Sequence, residues 1–541
     1  MFSKIYHWID INILALGREM RFSYLPPLMV YMAAGISGLT GIVGTFFVKE
    51  YLGLSAEFLA ALAFWTVIPW SLKMPLGHLV DLIWRWKSLL VYLGAGLIAV
   101  SLVIMIALLT DREAMSAILS PGTWFVISTI LAPVGYVIQD AVADAMTVEA
   151  VPRVDDQGKA IAPARLKLMH TTMQTLGRVA IIGGSVLVAL INLYVFHGVH
   201  ALPDSEKVLV YREIYVMALS IPVVSVAGIA LAAWIKHRDK LRMLARGMSR
   251  AEVQKIQAVH IDKTEPNWWI LGGSLAFVVF TLVMGFSDYK YNQEAIFLGS
   301  FAIIVFLIAK LTLALDETAR STLIGTIAIV FVFRAMPTPG PGITWWMIDE
   351  LKFDQQFFSV LSLIGSVLTL AGMFIFRRFM AERSIAYVVG ALTIAATILS
   401  LPYIGMYYGL HVWTEAHTGG VVDARFIALV NTALESPLGQ IAMIPMLAWI
   451  ANSAPANLKA TYFAVMASFT NLALSLSQLL TKYLNQVYIV SREVRDPITG
   501  VLHVPADYSE LGLLVIVATV IGLVLPFATI AIVRMLRLKW A

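Results

Sequence analysis

Apolar runs of about 20 residues follow one another along almost the whole chain, which is the length an α-helix needs to span a bilayer. Hydrocarbon offers the backbone no water to bond, so each run must form a helix that satisfies its own amides and carbonyls. The runs lie at 22–48, 58–80, 88–109, 124–146, 168–196, 214–235, 268–286, 296–315, 322–348, 357–376, 386–408, 426–450, 458–483 and 511–532. They predict an all-α polytopic membrane protein of about 14 spans. Composition closes the alternative: 59% of the 541 residues are hydrophobic and only 13% are charged. An ordinary soluble domain carries ~25% charged residues, so no water-soluble core could hide this much apolar surface.

The net charge of +5 comes from short segments between the runs, so it speaks of topology and not of a nucleic-acid partner. With the N-terminus inside, the inner segments hold Lys4, Arg18, Arg21, Arg85, Lys87, Arg153, Lys159, Arg165 and Lys167. They also hold a basic cluster from Lys236 to Lys263, then Arg377, Arg378, Arg383, Arg534, Arg537 and Lys539. The positive-inside rule then predicts both termini in the cytoplasm, in the inner membrane of a bacterium. Residues 1–21 alternate Phe2, Ile5, Trp8, Ile9 and Ile13 with Lys4, Asp10, Arg18 and Glu19, the pattern of an interfacial helix. Residues 22–235 form a first group of six spans, 236–266 a basic cytoplasmic linker, 267–316 an inserted two-helix hairpin and 317–541 a second group of six. Two parallel six-helix halves are a transporter layout, with a substrate site near the midplane. The hairpin is expected to pack peripherally.

A charge at the bilayer centre costs about 2.5–3.5 kcal/mol even on the lenient insertion scale, so each one requires a partner, a cavity or a function. Those inside runs are Lys73, Asp140, Asp144, Arg178, Lys310, Arg334 and Glu435. Asp140 and Asp144, at i and i+4, face the same way on the fourth span. Two carboxylates so close require a cation, and Lys73 and Arg178 are the candidates; the set is either an ion-pair brace or a proton-coupling site. Around Arg334, Pro337, Pro339, Gly340, Pro341 and Gly342 cannot all sit in a regular helix, so the ninth run should be broken there. In transporters such breaks mark the substrate site, where Arg334 would take an anionic group and Trp345 and Trp346 would stack on a flat ring. The alternative is a kinked helix in which Arg334 pairs with Glu435. Glu435 and Gln440 lie on the fourth span of the second group, the counterpart of the Asp140 span. Gly35, Gly38, Gly41 and Gly44 suggest a close helix contact.

There is no cysteine, the ten histidines show no metal-ligand spacing, and HExxH, GxxxxGK[ST] and GxSxG are absent, so no metal or other cofactor is expected.

Gly77-His78-Leu79-Val80-Asp81 with Arg85 and Lys87 resembles the cytoplasmic signature of the major facilitator superfamily, although Leu82 stands where that signature has Arg. Four longer stretches are similar to the folate-biopterin transporter family within it: Leu52 to Ser55 leading to Pro69-Trp70-Ser71-Leu72-Lys73; Asp140 to Glu149; Phe333 to Pro337 running to Glu350-Leu351; and Pro445 to Pro455 with Thr461, Phe463, Ala464, Ser468 and Asn471. The chain departs from the family pattern at Met74, Lys352, Ala454 and Lys459. The resemblance implies a major-facilitator-like fold of 6+6 helices with two extra spans, and transport of a folate or pteridine coupled to protons. It carries Lys73, Asp140, Asp144, Arg334 and Pro337 over as functional positions.

The expected function is therefore secondary transport of a small organic anion with protons, a symport by alternating access, by a monomer. Arg334, Trp345, Trp346, Glu435 and Gln440 would bind substrate; Lys73, Asp140, Asp144, Arg178 and Glu435 would couple protons or pair; Asp81, Arg85 and Lys87 would latch the cytoplasmic side. The rival is a membrane-embedded Mg²⁺-dependent transferase holding a metal-diphosphate on Asp140 and Asp144. Against it, Tyr136 stands one turn before the pair where the prenyltransferase pattern has Asn, and no second such pair exists.

Overall fold

The computed structural model describes residues 10, 14–48, 52, 54–152, 161–250, 253, 268–285, 287, 289–312, 316–376, 379, 383–439, 459–495 and 502–540. Within the described residues each predicted apolar run falls on helix, the ninth interrupted at residues 335–341. The first eight are α1 (Phe22–Phe47), α2 (Ala56–Val80), α3 (Lys87–Thr110), α4 (Pro121–Ala150), α5 (Pro163–Val195), α6 (Ser205–Ala245), α7 (Trp268–Gly285) and α8 (Asn292–Thr312). After them come α9 (Glu317–Arg334), α10 (Gly342–Asp349), α11 (Gln355–Ile375), α12 (Ile385–Tyr407), α13 (Ala424–Glu435), α14 (Lys459–Val487) and α15 (Leu511–Met535).

Among the described residues ten helices are long and apolar enough to cross a membrane. The other runs fall short of that measure for local reasons. The apolar part of α7 is Leu271–Gly285, α9 stops at the predicted break, and α13 is described only through the 3₁₀ turn Ser436–Leu438. Helix α14 is polar on one side, with Ser477, Thr481, Lys482 and Asn485. One feature was not foreseen: Val494–Arg495 and Leu502–Val504 pair as a small antiparallel hairpin (β1, β2) between α14 and α15. Of the interfacial helix expected at 1–21, the described part is helical at Ala15–Arg18.

Packing follows the small residues. At Gly35 an added Cβ would stand 2.1 Å from the Ile181 carbonyl oxygen and 3.0 Å from the Gly184 Cα, so α1 and α5 touch backbone to backbone. Gly94 and Gly135 do the same for α3 and α4. The expected glycine stripe is thus real at Gly35 alone, since Gly38, Gly41 and Gly44 meet nothing within 4 Å. Gly35→Val should lower the melting temperature in detergent sharply, at a cost of about 1–3 kcal/mol or more, because two backbones cannot part without moving whole helices. Gly41→Val should leave it nearly unchanged.

Helix α2 packs along α14 and α5 along α11, so the second and fifth helices of the first group meet the fifth and second of the other. The hairpin lies against the bundle through α8, while Leu275, Leu282 and Val283 of α7 are exposed. Ile296, Phe297, Ile304, Leu307 and Ile308 of α8 are buried in one cluster with Phe64 and Ile68 of α2, Leu323 and Ile329 of α9, and Phe469 of α14. Lys310, the hairpin's own intramembrane charge, is met within the hairpin by the rings of Trp269 and Phe306, 5.0 and 5.6 Å away.

Candidate functional site

Helix α2 is interrupted by a 3₁₀ turn, Ile68–Leu72, which begins at the Pro69-Trp70 pair and ends at Lys73. The Trp70 carbonyl released there accepts a hydrogen bond from Asn471 Nδ2 of α14 at 3.1 Å. Lys73 opens the next helical turn and aims at α4. Its Nζ donates to Asp140 Oδ2 at 2.6 Å and stands 2.8 Å from Asp144 Oδ2. The i, i+4 pair shares one cation, as its spacing required. From α1, the Tyr31 hydroxyl donates to Asp144 Oδ1 at 2.6 Å. Arg178 of α5 lies within electrostatic reach of Asp140 and Tyr31. Four helices of the first group thus converge on two carboxylates. The network is not sealed: the Asp140 side chain is 14% exposed and that of Asp144 37%. The ammonium occupies the place between the carboxylates that a metal-diphosphate would need, which opposes the transferase chemistry.

Arg334 closes α9. Its Nε donates to the Thr470 carbonyl of α14 at 3.1 Å, and its guanidinium lies within electrostatic reach of Arg178. Two half-buried cations from different helix groups therefore lie within electrostatic reach of each other. Among the described residues no ion pair joins Arg334 to Glu435; Glu435 ends α13, exposed, within reach of Tyr403.

The break itself runs through residues 335–341, with Gly340 at φ +77° as the turn demands. Its released backbone groups are met by a ladder on α14. Ser477 Oγ donates to the Met336 carbonyl at 2.6 Å, the Thr338 amide donates to Thr481 Oγ1 at 3.0 Å, and Asn485 Nδ2 donates to the Pro339 carbonyl at 3.2 Å. Residues at i, i+4 and i+8 share one helix face, so α14 is built to hold a broken neighbour. Trp345 and Trp346, 1% and 5% exposed, are packed beside Phe353, Phe357 and Leu511. Arg492 lies over the Trp345 ring, 5.3 Å from its centre. The structure does not bring these rings to a ligand surface. Nearby, the Tyr508 hydroxyl donates to Asp349, and burial raises the phenol well above its ordinary range, so it stays a donor.

Of the proposed latch, Lys87 pairs with Glu149 Oε2 at 2.8 Å; the side chains of Asp81 and Arg85, and Gln440 altogether, lie outside the described residues. Sequence reading missed Tyr31, Thr470 and the α14 ladder. A signal existed for Tyr31, which precedes Gly35 by one turn and so shares its inward face. It also missed a second polar cluster, where Glu294 of α8 accepts from Lys482 Nζ at 3.3 Å and from the Tyr483 hydroxyl of α14. Beside it Gln293 Nε2 donates to the Ala61 carbonyl of α2 at 3.0 Å, and Gln486 Nε2 of α14 donates to Glu57 Oε1 of α2 at 2.6 Å.

Comparison with known proteins agrees with this architecture. A folate-biopterin transporter of Synechocystis sp. is 22% identical over 518 residues, covering 95% of this chain and 82% of that protein. Among solved structures, the nucleoside transporter NupG superposes with a TM-score of 0.55 at 11% identity, over 94% of this chain and 99% of that one. A peptide transporter POT in complex with sulfate gives 0.53 at 13% identity, over 96% of each chain. These likenesses show that the chain shares the fold of those solved structures, and its apolar helices make it a multi-pass membrane protein. Residues 34–538 match the BT1 family, and the chain belongs to that family.

Proposed function

We propose that the protein is a secondary transporter of a small organic anion, a folate or pteridine, moved with protons by alternating access. The observation that carries this reading is the intramembrane network of Lys73, Asp140, Asp144 and Tyr31, with Arg178 and Arg334, from helices of different groups, in electrostatic reach of each other. Two cations in reach of each other repel unless an anion joins them, and carboxylates held in such a network can exchange protons with water. Residues 22–235 and 317–541 act as the two rocking halves, joined by the 236–266 linker and the 267–316 hairpin. Support comes from the reciprocal packing of α2 on α14 and α5 on α11, which a two-fold relation between halves would produce. The Synechocystis relative's name supports the substrate class. Both termini face the cytoplasm of a bacterial inner membrane, by the distribution of Lys and Arg, and a monomer holds the complete site. Glu435 extends the substrate site at the end of α13 and Gln440 is proposed as part of it, while Trp345 and Trp346 back the break as packing.

The test is uptake of labelled folate and biopterin into proteoliposomes, with and without an inward proton gradient. Gradient-dependent accumulation is expected. Arg334→Lys should weaken folate binding to the purified protein roughly 10–100-fold with little change in yield, since it keeps the charge but loses the planar fork. Unchanged affinity would reduce Arg334 to a structural group held by Thr470.

A further inference from the structure

We propose that the inserted hairpin is a clamp on the outer ends of the two halves: Gln293 and Glu294, in the first turn of α8, hold α2 of the first group to α14 of the second, and the outside opens only when the Gln293 bond to α2 lets go. This rests on the alternating-access reading and the orientation given above, and it gives the hairpin a part in the cycle which that reading leaves open. Residues 286–291 join α7 to α8 at the end of the bundle where α2 begins at Ala56 and α14 ends at Val487. There, Gln293 Nε2 donates to the Ala61 carbonyl of α2 at 3.0 Å, while Glu294 accepts from Lys482 Nζ at 3.3 Å and from the Tyr483 hydroxyl of α14. Consecutive residues of a helix point about 100° apart, so one turn of α8 touches both neighbours.

The structure is shut at this end. Beside the clamp, Gln486 Nε2 of α14 donates to Glu57 Oε1 of α2 at 2.6 Å. Where α5 and α6 of the first group meet α11 of the second, Gln355 Nε2 donates to the Tyr211 hydroxyl at 2.8 Å, and Gln356 Nε2 lies 3.2 Å from His197 Nδ1. The two arms of the clamp are unequal. Glu294 engages a cation, and hydrogen bonds between charged groups are roughly twice as strong as those between neutral ones. Gln293 binds a neutral carbonyl, and its buried Oε1 meets no partner among the described residues, so that arm hangs on one bond. Packing agrees with this order of strength: α8 runs along α14, whereas α7 lies on the inner part of α2, at residues 73–82. When the halves rock, α8 stays with α14, α7 serves as the pivot on α2, and the Gln293 bond is the one that breaks.

The chain has no cysteine, so introduced pairs can be labelled without background. Spin labels at Glu206→Cys, in the first turn of α6, and at Thr418→Cys, between α12 and α13, occupy exposed positions on opposite halves at this end. Their distance distribution is read in proteoliposomes. Gln293→Leu, which keeps the bulk and removes the donor, should raise the population of the longer distance about 2–10-fold, the effect of losing one hydrogen bond. Lys310→Met, on the same helix but paired with rings of the hairpin itself, should leave it unchanged. In a separate variant, a short bismaleimide joining Ala61→Cys to Gln293→Cys should abolish folate uptake that the same protein shows before cross-linking. An unmoved distribution in Gln293→Leu, or full uptake after cross-linking, would overturn the clamp. Should Gln293→Leu fail to fold, the cross-linked pair decides alone. If the distances respond as expected while the parent accumulates neither folate nor biopterin, the clamp stands and the substrate reading fails.

Discussion

Lys73→Met is expected to abolish transport and to destabilise the protein by about 3–5 kcal/mol, the cost of leaving a buried ionic partner uncompensated. Lys73 lies 2.6 Å from Asp140 Oδ2 and 2.8 Å from Asp144 Oδ2, and its side chain is 19% exposed. Without it, two carboxylates one helical turn apart would keep only the Tyr31 hydroxyl and the more distant Arg178. The pair would then survive only by staying protonated, and the site would no longer cycle. The check is thermal melting in detergent together with folate uptake. Lys73→Met with Asp140→Asn should recover most of the melting temperature and none of the transport, because the charge balance returns while the shared cation does not. A single Lys73→Met variant that melts like the parent would show that the ammonium is not what holds α2 to α4.

Deleting residues 267–316 and rejoining the ends with a flexible linker should cost most of the folded protein. In lipid, exposed apolar surface is not penalised as it is in water, so loss of the α8 packing against Phe64, Ile68 and Phe469 is only part of the cost. The polar contacts carry the rest. Glu294 is the carboxylate partner of Lys482, whose side chain is 14% exposed, and Gln293 ties α8 to α2 through the Ala61 carbonyl. Removal leaves an ammonium on α14 with its ion pair broken, at about 2.5–3.5 kcal/mol on the insertion scale. Monodispersity and melting temperature measure the loss, and Lys482→Met in the deleted protein should restore part of it by removing the orphaned charge. A deletion that melts like the parent would return the hairpin to the peripheral role its even number of spans first implied.

What the sequence determined by itself was set by local chemistry. Apolar length compels helices, so the position of each run was legible as far as the described residues go, and three prolines with two glycines after Arg334 compel a broken helix, which the structure has at residues 335–341. The spacing of Asp140 and Asp144 likewise required one face and one shared cation, and Lys73 supplies it. Which neighbours complete these features was decided only in the tertiary structure. The break looked like a ligand site because released backbone groups require partners, but Ser477, Thr481 and Asn485 supply them from a helix more than 130 residues away in sequence. Trp345 and Trp346 looked available for stacking, and packing against Phe353 and Leu511 buries them. Tyr31 and Glu294 carry no distinctive local pattern; they acquire meaning from the helices that face them, α4 and α14. Periodicity identifies the inward face of a helix but not its opposite number, because helix contacts in a membrane are selected by shape and by individual hydrogen bonds across the interface.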